Sequence, residues 1–121
     1  MMKNEDIEYA FEAEDGTLVL TTWAATAGFA TGCFFVGKDG DLQEYNVVNF
    51  VRYRDGGTTV ITAQKEGQTV TLYSPSPFKK DGIPTINGKP AKDVRAAWRF
   101  PQGPWRSLLD RIKAVAPKLK L

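Results

Sequence analysis

YNVVNFVRYRDGGTTVITAQKEGQTVTLYS, the stretch Tyr45–Ser74, decides the fold of this chain. Thr, Val, Ile, Tyr and Phe dominate it, the residue types that suit a pleated, half-buried surface. Asp55-Gly56-Gly57 and Glu66-Gly67-Gln68 interrupt it. The reading is a meander of strands, Tyr45–Arg54, Thr58–Lys65 and Thr69–Ser74, at the centre of an antiparallel sheet. Strict alternation along the first of these sets Val48, Phe50 and Arg52 on one face. Tyr45, Val47, Asn49, Val51 and Tyr53 fall on the other. Asn46 and Asn49 sit in a strand type that disfavours them, which points them to solvent or a strand edge.

Upstream, Ile7, Tyr9 and Phe11 alternate with Glu8, Ala10 and Glu12, a strand with one apolar face. Asp15-Gly16 suits a tight turn into Thr17–Trp23. There Leu18 and Leu20 face one way and Val19, Thr21 and Trp23 the other, as in a central strand or a closed barrel. Ala24–Gly32 reads as an irregular bend, Cys33–Gly37 as a short buried strand, and Lys38–Asp41 as another turn.

Downstream, residues 75–93 form a long loop, because Pro75, Pro77, Pro84 and Pro90 with Gly82 and Gly88 break regular structure. Asn87-Gly88 can close a small hairpin inside it, between Ile83–Ile86 and Lys89–Ala91. Val94–Phe100 alternates as a last strand, with Arg95 and Arg99 outward. Trp105, Leu108, Leu109, Ile112 and Val115 recur at helical spacing, which predicts an amphipathic helix over 105–116 between Pro104 and Pro117. The expected fold is mainly β, of α+β type. It is a small antiparallel β-barrel or sandwich of about six to eight strands with one C-terminal helix packed on it. All 121 residues fit a single domain.

Little in this chain can do chemistry. It has no histidine, which removes the commonest general base and zinc ligand. Cys33, the one cysteine, lacks a partner for a disulfide or a catalytic pair and reads as a small buried hydrophobe. Gly32–Lys38 matches the opening of a phosphate-binding loop, but Asp39 replaces the Ser or Thr that would hold magnesium, and the interior is bulky. Phe29, Phe34 and Phe35 lack the spacing of an RNA-stacking strand. The expectation is a protein that is not an enzyme and takes no cofactor or metal. No basic-then-apolar start and no membrane-length apolar run occur, and with a single cysteine this favours a cytoplasmic location.

Charge carries the functional expectation. Residues 1–78 hold five Lys/Arg against eleven Asp/Glu, and residues 79–121 hold eleven Lys/Arg against three Asp. Such a split suggests a non-catalytic binding module whose basic end meets an acidic protein surface or a second copy of the chain as a homo-oligomer. The candidate contact residues are Lys79, Lys80, Lys89 and Lys92, with Arg95, Arg99, Arg106 and Arg111. Nucleic-acid binding by the same cations is one alternative. A nucleotide or metabolite pocket in the barrel mouth, lined by Trp23, Asn46, Asn49 and Tyr73, is the other.

Overall fold

A computed structural model describes residues 7–23 and 30–95, together with Asp110, Arg111 and Ala114. Eight antiparallel strands follow one another around a closed barrel. They are β1 (Ile7–Ala13), β2 (Leu18–Trp23), β3 (Ala30–Val36), β4 (Leu42–Arg52), β5 (Thr59–Lys65), β6 (Gln68–Ser74), β7 (Thr85–Ile86) and β8 (Lys89–Asp93). Each pairs with its sequence neighbour, and β8 returns to β1 through Phe11↔Asp93, Glu12↔Lys92 and Ala13↔Ala91. Closure removes the unpaired edges that an open sheet of this length would expose. The long strand β4 turns a corner: Leu42–Tyr45 pair with β3 and Asn46–Arg52 with β5.

Every strand sends apolar side chains into the lumen. Phe11, Val19, Cys33, Tyr45, Ile61, Leu72, Ile86 and Ala91 belong to one buried cluster, one from each strand. Phe35 stacks on Tyr45 with ring centroids 4.4 Å apart. A barrel of this strand number is just wide enough for side chains to fill. A second cluster lies on the outside of β1–β3, where Ile7, Ala10, Leu20 and Phe34 are fully buried, with Val36, Leu42 and Val94 packed against it. This is why β2 reads as apolar on both faces: Val19 lines the lumen while Leu18 and Leu20 join the outer cluster.

β-bulges correct the alternation expected from sequence. Register shifts between Ile7 and Tyr9, so that Glu8 is an extra residue and Ile7 leaves the face it would share with Tyr9 and Phe11 for the outer cluster. A shift between Val47 and Asn49 makes Val48 an extra residue in β4. Beyond it, Phe50 and Arg52 pair with Ile61 and Thr59, which face the lumen. Asn49, Val51 and Tyr53 turn outward instead of following Tyr45 and Val47 inward. The long loop expected over 75–93 is irregular only to Pro84, after which β7 and β8 make a hairpin with Asn87 at φ 53. Val94 and Arg95 follow β8 and are not part of a strand; residues 96–100 of the expected last strand lie outside the described residues. The helix expected over 105–116 also lies outside them except at Asp110, Arg111 and Ala114, and no helix is among the described elements. Among the described residues no helix is long and apolar enough to cross a membrane.

Two measurements follow. Phe50→Ala should cost about 2 kcal/mol in denaturant unfolding, whereas Asn49→Ala should stay within about 0.5 kcal/mol, the reverse of what unbroken alternation implies. Burial pushes the Cys33 thiol up to about 12. Iodoacetamide should therefore leave Cys33 unmodified in the native protein near about pH 8 and alkylate it fully in denaturant.

Candidate binding surface at the loop end of the barrel

The barrel has two unlike ends. One carries the short turns at 14–17, 37–41, 66–67 and 87–88. The other carries the longer connections 53–58 and 75–84. Prolines at 75, 77 and 84 keep the second connection from joining the ladder, since they lack the N–H that pairing needs. Side chains order it instead. The Ser76 N–H donates to Thr58 Oγ1 at 3.1 Å, and Ser76 is buried. Its own Oγ accepts the Phe78 N–H at 3.2 Å, and its carbonyl accepts the Lys79 N–H at 3.0 Å.

Asp55 ties the two connections together. It accepts the Thr58 N–H at 2.9 Å and the Thr58 hydroxyl at 2.6 Å, and it pairs with the Lys79 ammonium at 3.4 Å. These donors, led by the Thr58 hydroxyl, lower the Asp55 carboxyl to about 2, and Asp55 in turn raises Lys79. Gly56 completes the contact. It has φ +105, and a Cβ there would overlap the Phe78 ring.

This built loop holds apolar groups in water. Phe78 is 80% exposed, Ile83 54% and Tyr53 53%, all on the two long connections. Arg54, Lys79 and Lys80 are exposed beside them, against the carboxylates Asp55 and Asp81. A groove of about 460 Å³ runs alongside, with Tyr9 and Phe11 at its floor and Pro75, Pro77, Pro84 and Lys79 on its walls.

At the rim a partly exposed polar cluster stands over the lumen. Arg52 Nε donates to Thr59 Oγ1 at 3.0 Å, and one Arg52 terminal nitrogen reaches both Glu8 at 3.1 Å and the Tyr9 hydroxyl at 3.3 Å. The Tyr9 hydroxyl donates to Thr59 Oγ1 at 3.0 Å, spanning from β1 to β5. Arg52 also lies over the Phe50 ring, 5.1 Å from its centroid. The extra residue in β1 places Glu8 here, and the extra residue in β4 turns Arg52 inward to meet it.

The structure separates the cations expected to share one face. Lys79 and Lys80 stand at the loop end. Lys89 stands at the opposite end, beside a groove lined by Glu14 and Asp15. Lys92 pairs across from Glu12 on β1. Arg95 donates from Nε to the Ile7 carbonyl at 2.7 Å. Arg111 donates to the Gly40 carbonyl and lines a shallow hollow with Asp39 and Asp41. Arg99 and Arg106 lie outside the described residues. The expected small-ligand pocket is likewise not assembled. Asn46 and Asn49 are exposed on the outer face, Tyr73 is half-buried and pairs outward with Val60, and Trp23 stands half-buried at the end of β2.

Sequence reasoning missed Phe78, Ile83 and Tyr53. A signal was present for Phe78: between Pro77 and Lys79 it belongs to no alternating or helical pattern that would bury it. Among the described residues no group of His, Cys, Asp and Glu could hold a metal ion. Cys33 is shut in the lumen cluster, kept protonated by burial.

The Asp55 carboxylate is bound more tightly as an anion in the folded state. Its stabilising effect is present above its unfolded value, about 4, and is lost as pH falls through about 2. Asp55→Asn should therefore lower stability near neutral pH and flatten the acid limb of the stability curve between those values, as read by urea unfolding at a series of pH values. No protein family, no curated protein and no solved structure matches this chain.

Proposed function

We propose that this domain acts by binding rather than by catalysis, and that it presents Phe78, Lys79 and Lys80 to an acidic, partly apolar segment of a protein partner. One observation carries this reading: a phenyl ring 80% exposed on a loop fixed by hydrogen bonds and an ion pair. Leaving such a ring in water is unfavourable in the isolated domain, and exposed aromatics beside cations are the usual anchors of protein interfaces. Lys80 and Arg54 supply steering toward carboxylates.

The rival readings have less behind them. Nucleic acid needs several phosphates neutralised along one path. The described cations instead stand at both ends of the barrel, most of them beside carboxylates. A metabolite in the lumen would have to displace both the packed core and the Arg52 cluster. The groove beside Tyr9 is the remaining place for one, and a thermal-shift panel of nucleotides and metabolites tests it.

The experiment is an anisotropy titration with a labelled synthetic peptide of Glu and Leu at low and high salt. Binding should weaken with salt. It should fall about tenfold in Phe78→Ala and be lost in the double variant Arg54→Glu/Lys80→Glu, which leaves the Asp55–Lys79 pair in place, with thermal melts showing intact folds. Equal binding by the variants, or tighter binding of a labelled oligonucleotide, would overturn the reading.

A further inference from the structure

β7 is the shortest strand of the barrel wall, two residues long. Its ladder is thin: Leu72↔Ile86 and Tyr73↔Thr85 on one side, Thr85↔Pro90 and Ile86↔Lys89 on the other. Asn87 extends it. The Asn87 N–H donates to the Thr71 carbonyl at 2.8 Å, and the Thr71 N–H donates to Asn87 Oδ1 at 2.8 Å. The side-chain carbonyl thus stands where a further strand residue would offer a main-chain one. There the chain reverses. φ is 53 at Asn87 and 81 at Gly88, the left-handed region that a two-residue hairpin turn requires. Both residues are exposed, and nothing lies within 4 Å of where a Gly88 Cβ would be.

We propose that Asn87 is a deamidation site, held in check by this clamp on Thr71 and released when the β7–β8 hairpin opens. The reaction uses only Asn87, Gly88 and water. The Gly88 amide nitrogen gives its proton to solvent base and attacks Asn87 Cγ. The new N–Cγ bond closes a succinimide ring, the Cγ–Nδ2 bond breaks, and Nδ2 takes up a proton and leaves as ammonia. Water then opens the ring at either carbonyl, giving aspartate or isoaspartate. Glycine leaves the attacking nitrogen unhindered and the backbone free to reach the ring geometry. The other asparagines precede Glu5, Val47 and Phe50, so Asn87 alone has this neighbour. The folded turn opposes ring closure. Left-handed backbone sets the following nitrogen nearly opposite Cβ, and the Thr71 bond holds the amide toward β6. Isoaspartate runs the main chain through Cβ and Cγ, so its N–H and acceptor oxygen no longer span Thr71. The new carboxylate also joins Glu14 and Asp15 around the hollow that Asn87 and Lys89 line. A transient local opening is thereby fixed as a lasting loss of β6–β7 pairing. This site lies at the turn end and does not rest on the surface around Phe78.

Timed incubation of the full chain in mildly alkaline buffer tests it. The readouts are the mass of the peptide holding Asn87 and enzymatic methylation of isoaspartate. In denaturant Asn87 should react as fast as a free Asn-Gly peptide, while Asn46 and Asn49 stay intact. The native chain should react at least about tenfold more slowly. Urea below the unfolding transition should raise the native rate in step with hydrogen exchange at the Thr71 N–H. Ile86→Ala, which loosens β7 without altering the turn, should raise it at least about fivefold. Chains converted to isoaspartate should unfold at a lower urea concentration than unreacted chains. A native rate equal to that in denaturant would overturn the proposal, as would one indifferent to both urea and Ile86→Ala. So would an Asn87 that stays intact in denaturant, or isoaspartyl chains as stable as the unreacted protein.

Discussion

Val48 is one residue more than β5 has room to pair, and the rest of the barrel's chemistry follows from where that surplus is taken up. A strand alternates with a period of two, so a single inserted residue exchanges its faces from that point on. Before the bulge Tyr45 and Val47 point into the lumen; after it Phe50 and Arg52 do. Without it Arg52 would point to solvent and the lumen would receive Asn49 and Tyr53. The bulge at Glu8, also of one residue, is its counterpart in β1. The two together bring a carboxylate and a guanidinium to the same barrel mouth from strands that are not neighbours.

That pairing lies across one mouth of the barrel. Arg52 stands at the mouth with its side chain 41% exposed, so water and protein share its donors. Here Glu8, Tyr9 and Thr59 meet them, with the Phe50 ring beneath. The lumen is thus lined by apolar side chains from every strand, with a partly exposed polar cluster at one mouth. The outside is divided: an apolar face over β1–β3 that is buried, a face over β4–β6 made mostly of Asn, Gln, Thr and Val, and a loop end where aromatic and cationic side chains stand together.

Some of this was legible in the residues. The alternation of Ile61, Ala63, Val70 and Leu72 against Thr and Gln gave the meander, because turn glycines bounded it and no bulge intervened. The double apolarity of Leu18–Leu20 pointed to a strand packed on both sides. Cys33 read as a buried hydrophobe for the same reason. The basic final third was visible as composition, but composition carries no direction. Its described cations are dealt out to both barrel ends, where Asp55, Glu12 and the Asp39–Asp41 turn lie close to several of them.

Sequence by itself determined the β class, the single domain, the order of the central strands and the absence of histidine chemistry. These depend on local propensity, periodicity and composition, which are properties of neighbouring residues. Tertiary structure alone decided the bulges, the closure of β8 on β1, the inward turn of Arg52 and the exposure of Phe78. Each of these depends on partners in another strand or loop, from a dozen residues away for the bulges to the 44-residue separation of Arg52 from Glu8. No local pattern encodes whether the opposite strand has a residue to spare.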